Sequence, residues 1–285
     1  MTDPQANQHD TPGAACPVCQ ASVVEGDVYC EACGHALGSP ACAFCDAAAV
    51  DSDGYCERCG LRQPTERDHA EIVLVGGAAG VTDRGLRRSR NEDAMALLTA
   101  GRSTVTVVCD GVGSSPRADE ASAVAVETAA AALARGLSSE EAFDLAGRAV
   151  SKLATSVHDA PACTYVSAVV EPGRVTLGWA GDSRAYWIPD GTPLTTDDAV
   201  PTGEITAWLG ADAVGVRLNV RTLASRRPGH LLVCSDGLWR YLDGYAFPRA
   251  GTPRDLAREM LRHALDSGGQ DNVTIVVIPL GEAHE

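Results

Sequence analysis

The chain has 285 residues, 45% of them hydrophobic, which is enough for one mid-sized domain with a buried core and a small companion. Its 38 acidic against 23 basic residues leave a net charge of −15, a field that repels phosphate backbones and argues against a nucleic-acid partner. No apolar run approaches the ~20 residues of a membrane helix. The polar opening MTDPQANQHD lacks the basic and apolar regions of a signal peptide, so no membrane association and a cytoplasmic location are expected.

Residues 1–15 read as a disordered tail. Eight of the eleven cysteines then follow before residue 60. Residues 16–34, CPVCQASVVEGDVYCEACG, and 42–60, CAFCDAAAVDSDGYCERCG, form an internal repeat with a period of 26 residues. Each copy holds CxxC, ten residues, a second CxxC and a Gly. A CxxC turn puts two thiolates on one side of a tight knuckle, and two facing knuckles make the tetrahedral sulfur cage that Zn²⁺ accepts. The ligands are then Cys16, Cys19, Cys30 and Cys33 for one ion and Cys42, Cys45, Cys56 and Cys59 for another; crossed pairing between the copies stays open. The gap is shorter than the about 15–20 residues usual between such pairs, so each hairpin must be short. Tyr29 and Tyr55, each just before a second knuckle, are expected to fill the small cores. His35 is an available extra ligand, although four thiolates suffice. An odd cysteine total without a signal peptide argues against a disulfide framework. Over 16–60 the pattern resembles the double zinc ribbon family, which implies two structural Zn²⁺ in closed, non-catalytic sites. Arg58 is the sole basic residue among the first sixty, against nine Asp and Glu, which favours protein binding or stabilisation over nucleic acid as the module's role.

Residues 61–71 are polar and contain Pro64, as a linker would, and 72–281 read as the second domain. IVLV at 72–75 is a short apolar run, and TVTVV at 104–108 is β-branched and ends at Cys109-Asp110-Gly111. Segments 118–135 and 139–157 carry helical patterns. TYVSAVV (164–170), EPG and RVTLGWA (174–180) read as a hairpin, followed by the strand RAYWI (184–188). RLNVRTL and HLLVCSDG are further strands, 254–266 is a helix, and NVTIVVI (272–278) closes the domain. Cys109, Cys163 and Cys234 lie in apolar stretches and read as inert core residues. Hairpin-linked strands with two adjacent helices between them predict an α+β architecture of antiparallel sheets covered by helices.

Four places carry candidate chemistry: TDRGLRRSRNEDA (82–94), VVCDGVGSS (107–115), WAGDSRAYW (179–187), and the pair VCSDGLW (233–239) with GGQDNVTIVV (268–277). Apolar strands repeatedly end in Asp beside Gly. One Asp-Gly merely marks a turn, but gathered carboxylates repel unless hard cations neutralise them. An all-oxygen ligand set suits Mg²⁺ or Mn²⁺. Two such ions can activate water and balance the charge on phosphoryl oxygens, and an arginine beside them can fork onto phosphate.

RGLRRSRNEDA, CDGVGSS, GDSRAY, CSDGLW and GGQDNVTIVV, in this order, resemble the bacterial branch of the PPM (PP2C-type) protein phosphatases over about residues 72–281. The resemblance implies an αββα sandwich of two antiparallel sheets flanked by helices, with metals at the sheets' rim. It implies Arg88 as the phosphate-binding arginine, Asp110 as the carboxylate bridging two metals, and the Gly111 carbonyl as a further ligand. Asp236 and Asp271 would hold the first metal and Glu92 the second, with Asp93 acting through water. Asp182 would serve a third, looser ion. The implied reaction is hydrolysis of phosphoserine and phosphothreonine on proteins by a hydroxide activated by two Mn²⁺ or Mg²⁺, without a phosphoenzyme. The substrates would be phosphorylated proteins in a bacterial Ser/Thr kinase circuit, with the ribbons expected to dock a kinase or signalling partner.

The sequence departs from the family pattern at Val112, where some relatives carry His, and at Arg240, where an Asp is frequent. A cation at 240 is expected to weaken or abolish the third metal site. Asp197-Asp198 stand where Asp-His is common. Two other readings remain: a catalytically weak or inactive sensor that docks partners through its ribbons, and a cysteine phosphatase using Cys234 and Arg240 in Cys-x5-Arg spacing.

Overall fold

The computed structural model describes residues 15–281 except 25, 26, 28, 52, 53, 157, 226 and 227. Of the expected tail, residues 1–14 lie outside the described residues. The chain divides into two compact units between Thr65 and Glu66. The segment 61–71, expected as a linker, is shared between them. Leu61 and Gln63 hydrogen-bond within the first unit, and a strand of the second begins at His69.

The first unit repeats one device four times. In each CxxC the first cysteine's carbonyl accepts from the fourth residue on, and its amide donates to the fifth: Cys16 with Gln20 and Ala21, Cys30 with Gly34 and His35, Cys42 with Asp46 and Ala47, Cys56 with Gly60 and Leu61. The turn needs positive φ at its fourth bonded residue, met by Gly34 (76°) and Gly60 (74°) and also by Gln20 (64°) and Asp46 (57°). The cysteines group within each repeat, and in each quartet the sulfur ligand atoms all lie within 4.8 Å of one another. The Cys16–Cys33 and Cys42–Cys59 sulfurs are 3.7 Å apart, and the Cys19–Cys30 and Cys45–Cys56 sulfurs 3.6 Å. Zn–S bonds of about 2.3 Å give a tetrahedron with edges of about 3.8 Å, whereas a disulfide needs about 2.05 Å. Both quartets therefore fit zinc, and the crossed pairing is excluded.

The tyrosines do not fill the ribbon cores. Tyr29 is 62% exposed. Each Tyr directly precedes a buried cysteine, so its side chain points the opposite way. The small cores are instead Val23 with Cys16 and Cys30, and Ala47, Ala49 and Val50 with Cys42 and Cys56. His35 is not a spare ligand. It is buried, with Nδ1 2.5 Å from Glu57 Oε2 and Nε2 2.9 Å from the Ala48 carbonyl, and so ties the first repeat to the second.

The second unit runs β1 (His69–Val73), β2 (Ala79–Asp83), β3 (Ala94–Ala100), β4 (Ser103–Cys109), α1 (Ala118–Ala134), α2 (Ser139–Ser151), β5 (Ala162–Cys163), β6 (Tyr165–Glu171), β7 (Arg174–Ala180), β8 (Arg184–Ile188), β9 (Thr192–Pro193), β10 (Leu209–Gly210), β11 (Asn219–Ala224), β12 (Gly229–Cys234), α3 (Asp236–Trp239), α4 (Pro253–Asp266) and β13 (Val273–Leu280). Antiparallel pairing gives one sheet in the order β1-β2-β13-β12-β8-β9 and another in the order β11-β7-β6-β4-β3, with β5 and β10 as a small extra pair.

Strand alternation builds the layers. On β12, Leu231 and Val233 face the other sheet while Leu232 and Cys234 face α4. On β13, Val276 and Ile278 join the first set and Ile275 and Val277 the second. On β4, Val108 faces between the sheets, whereas Val105, Val107 and Cys109 meet α1 and α2. Three apolar layers between helices, sheet, sheet and helices are the expected αββα sandwich. α2 and α4 each open on a complete capping box, Ser138 with Glu141 and Thr252 with Asp255. α2 stops at Ser151 rather than at 157, because the Leu153 carbonyl accepts from Arg117 and the Thr155 amide donates to Asp159. Among the described residues no helix is long and apolar enough to cross a membrane.

Candidate active site

At one rim of the sandwich, strand ends deliver carboxylates to a pocket of about 270 Å³ lined by Arg88, Glu92, Asp110, Gly111, Asp182, Asp236, Arg240 and Asp271. Each is fixed by backbone chemistry nearby. Asp110 directly follows β4; its amide donates to Thr164 Oγ1 (3.0 Å) and its carbonyl accepts from the Thr164 amide (2.7 Å). Gly111 has no room for a side chain, since a Cβ would lie 2.8 Å from the Ala118 Cβ and 2.9 Å from the Glu92 carbonyl oxygen. Asp236 opens α3 directly after β12, and Gly237 is obligatory because a Cβ would sit 1.9 Å from the Asn272 carbonyl. Asp182 sits in the β7–β8 turn, where its carbonyl accepts from Trp239 Nε1 (2.8 Å).

Asn272 organises the other wall. Its Nδ2 donates to the Arg84 and Arg90 carbonyls at 2.8 and 2.9 Å, and its Oδ1 accepts from the Glu92 amide at 2.8 Å. This one side chain fixes the loop that carries both Arg88 and Glu92. Sequence reading passed over Asn272 and Thr164, although Asn272 directly follows the Asp of GGQDN.

Electrostatics explain what the pocket wants. Burial, together with Asp93, Asp236, Asp182 and Asp271 around it, holds the Asp110 carboxyl well above the usual carboxylate range. Burial and the charges of Asp236 and Asp197 lift Asp182 to about 6. Burial also raises Asp236, against the pull of Arg240. One oxygen of Asp236, Oδ1, is buried without a hydrogen-bond partner among the described residues. Two arginines line the pocket among the described residues: Arg88 Nη2 lies 2.7 Å from Asp271 Oδ2, and Arg240 Nη2 lies 2.6 Å from Asp236 Oδ2. Crowded, protonation-prone carboxylates with an orphaned oxygen fit a site for hard divalent cations.

Asp93 does not line the pocket. It is buried, with Oδ2 accepting from Ser235 Oγ and Thr274 Oγ1, both at 2.8 Å, and burial raises its carboxyl to about 7. Asp197 and Asp198 are structural: Asp197 pairs through both oxygens with Arg184 at 2.8 Å, and Asp198 accepts from the Gly181 amide and Asn219. Arg184 also lies 3.5 Å over the Trp239 ring. Cys234 faces the α4 core, fully buried, and burial pushes its thiol far up. It cannot present a thiolate to the pocket, so the cysteine-phosphatase reading fails.

The family model of protein phosphatase 2C matches residues 85–272, which hold every pocket residue named above. The chain belongs to the protein phosphatase 2C family. The serine/threonine protein phosphatase PstP of Mycobacterium tuberculosis is 31% identical to this phosphatase-family chain over 245 residues, covering 73% of this chain and 46% of that protein. The chain thus spans about half the length of the curated relatives it matches. The PPM Ser-Thr phosphatase MsPP of Mycobacterium smegmatis, solved with cacodylate, is 28% identical and superposes with a TM-score of 0.62, covering 74% of this chain and 100% of its own. The PstP catalytic domain, solved with two manganese ions, shares the fold at 24% identity and a TM-score of 0.60, over 74% of this chain and 100% of its own.

Proposed function

We propose that this chain hydrolyses phosphoserine and phosphothreonine on proteins, using two Mn²⁺ or Mg²⁺ ions. The observation that carries the reading is the convergence of Asp110, Asp236, Asp271, Glu92 and Arg88 on one rim pocket inside a protein phosphatase 2C domain. Asp236 and Asp271 would hold one ion and Glu92 with the Gly111 carbonyl the other, with Asp110 between them. When bound, the ions supply an activated water at neutral pH and neutralise charge on the phosphoryl oxygens.

The chain's own residues do the rest. Arg88 spends one nitrogen on Asp271, and its Nη1 lies against the open side of Gly113. The remaining N–H groups can fork onto substrate phosphate. Among the described residues the lining's one hydroxyl is that of Thr164, which is engaged with the Asp110 amide and the Ser183 hydroxyl, and the lining offers no Ser, Cys, His, Lys or Tyr to protonate the leaving oxygen. Solvent fills that role at Val112. Arg240 stands on Asp236 and near Asp182, which disfavours a third cation there. Asp93 braces the floor from behind, Oδ2 holding Ser235 and Thr274, while its Oδ1, buried without a hydrogen-bond partner among the described residues, would act through water.

The sensor reading draws on the same arginines, because their ion pairs neutralise two of the carboxylates without any metal. Phosphate release from a phosphothreonine peptide, with and without Mn²⁺, separates the two. Mn²⁺-dependent turnover abolished by Asp110→Asn is the expected result; a folded, zinc-loaded protein without turnover under any metal would leave the sensor. The setting proposed is a cytoplasmic Ser/Thr kinase circuit, with the acidic ribbons docking a protein of that circuit. Deleting residues 1–60 without loss of any captured partner would count against the docking role.

A further inference from the structure

Next to the catalytic pocket lies a roomier recess of about 490 Å³, sharing Val112 and Ile205 with it. The two are separated by one short loop. Its backbone closes on itself through Val200 with Glu204 and Gly203 with Val200, and the Thr206 amide returns to the Asp198 carbonyl. The loop therefore puts Gly203 on the catalytic pocket and Glu204 on the recess, with Ile205 touching both.

The recess has an apolar floor and an acidic rim. Val112, Pro116, Ile205 and Trp208 form the floor. Trp208 is held in place by its Nε1–H, which donates to Asp212 Oδ1 at 3.0 Å. Glu204 and Asp212 supply the charge, and both are exposed. Glu204 hydrogen-bonds only a hydroxyl, that of Thr202, and among the described residues neither carboxylate is paired with a cation. Against them the lining sets one histidine, His158, and no arginine or lysine.

We infer that this recess is a substrate subsite, which reads a basic residue flanking the phosphorylated Ser or Thr. The inference rests on the phosphatase reading of the neighbouring pocket. An extended peptide whose phosphate enters that pocket and whose chain passes Val112 or Ile205, the two residues the pocket shares with the recess, runs onto the recess. Its aliphatic stem packs on Trp208 and its charge meets Glu204 and Asp212. Net charge of −15 over the whole chain also favours a basic partner in the encounter.

The test compares the full-length chain with Glu204→Arg and Trp208→Ala on phosphothreonine peptides in which Arg, Ala or Glu is scanned along each flank. p-Nitrophenyl phosphate is the control, being too small to reach the recess. The wild type should prefer an Arg-flanked peptide over its Ala counterpart by about fivefold in kcat/KM, as one exposed ion pair allows. Glu204→Arg should remove or invert that preference and Trp208→Ala should reduce it, with p-nitrophenyl phosphate turnover unchanged in both. Turnover indifferent to the flank in the wild type, or a preference for Glu, would overturn the subsite. Titration calorimetry with the same peptides keeps the two readings apart. If p-nitrophenyl phosphate is not turned over but the Arg peptide still binds the wild type better than Glu204→Arg, the subsite stands and the enzyme reading falls. If neither turnover nor flank-dependent binding appears, the subsite falls with it.

Discussion

The chain builds its two kinds of candidate metal site in opposite ways. In the ribbons every ligand of a site comes from within 17 residues, and the sulfurs already stand 3.6 to 3.7 Å apart along the edges of a tetrahedron. At the rim of the sandwich the residues come from five separate segments. Among the described residues only the two cysteine quartets bring three or more ligand atoms within 4.8 Å of one another. Two of the rim carboxylates instead hold arginines. A closed structural site is dictated by local turn geometry, whereas the rim site depends on two sheets being packed and on a charge conflict that cations relieve.

Removing the metals should expose this contrast most sharply in the ribbons. Two zinc ions per chain are expected by elemental analysis, and chelating them should unfold the ribbons, because such sites contribute about 10–16 kcal/mol of folding free energy. The sandwich carries its own three apolar layers, so its amide signals should survive the same treatment. Loss of both sets of signals together would break the distinction.

Asp110→Asn comes next. Turnover should fall by more than about 100-fold, beyond the loss typical of an outer-shell partner. The same change should raise the melting temperature of the metal-free protein, since it removes one charge from a crowded cluster. A metal-free variant less stable than wild type would mean that the carboxylates are not in conflict. Arg88→Ala should act mainly on kcat/KM, lowering it about 10- to 100-fold, the worth of a charge-assisted contact to phosphate. An unchanged kcat/KM would remove Arg88 from substrate binding.

The pH dependence is the mildest effect. Asp110 and Asp182 titrate above the ordinary carboxylate range, Asp182 near 6. Protons therefore compete with cations at the rim as pH falls through about 6, and apparent Mn²⁺ affinity should drop there. Affinity constant down to the ordinary Asp range, near about 3.9, would contradict the raised values.

The same contrast governs what could be read beforehand. The cysteine quartets were legible residue by residue, because a four-residue knuckle is a local rule; the spacing alone left the pairing open, and the sulfur distances close it. Hydrophobic alternation located β4, β6, β7, β12 and β13, whose faces are strongly sided. It passed over β2 and β3, where AGVTD and AMALLTA are too rich in small residues to show a period. The rim residues were named through motif order, and the structure gathers Arg88, Glu92, Asp110, Gly111, Asp182, Asp236 and Asp271 around one pocket. What stayed hidden was support at long range. Asn272 reaches back 180 residues to the Glu92 amide, Thr164 holds Asp110 from 54 residues away, and Asp93 hydrogen-bonds to Ser235 and Thr274 instead of facing the pocket. No periodicity encodes such contacts; only the packed sheets create them.

Arg88 and Arg240 are the charges that cations must displace or outcompete, so a crystal structure with Mn²⁺, read by anomalous scattering at the manganese edge, tests the account most directly. Two peaks flanking Asp110, with Asp236 and Asp271 released from Arg240 and Arg88 to face them, is the predicted result. An empty rim with both ion pairs intact at saturating Mn²⁺ would contradict it.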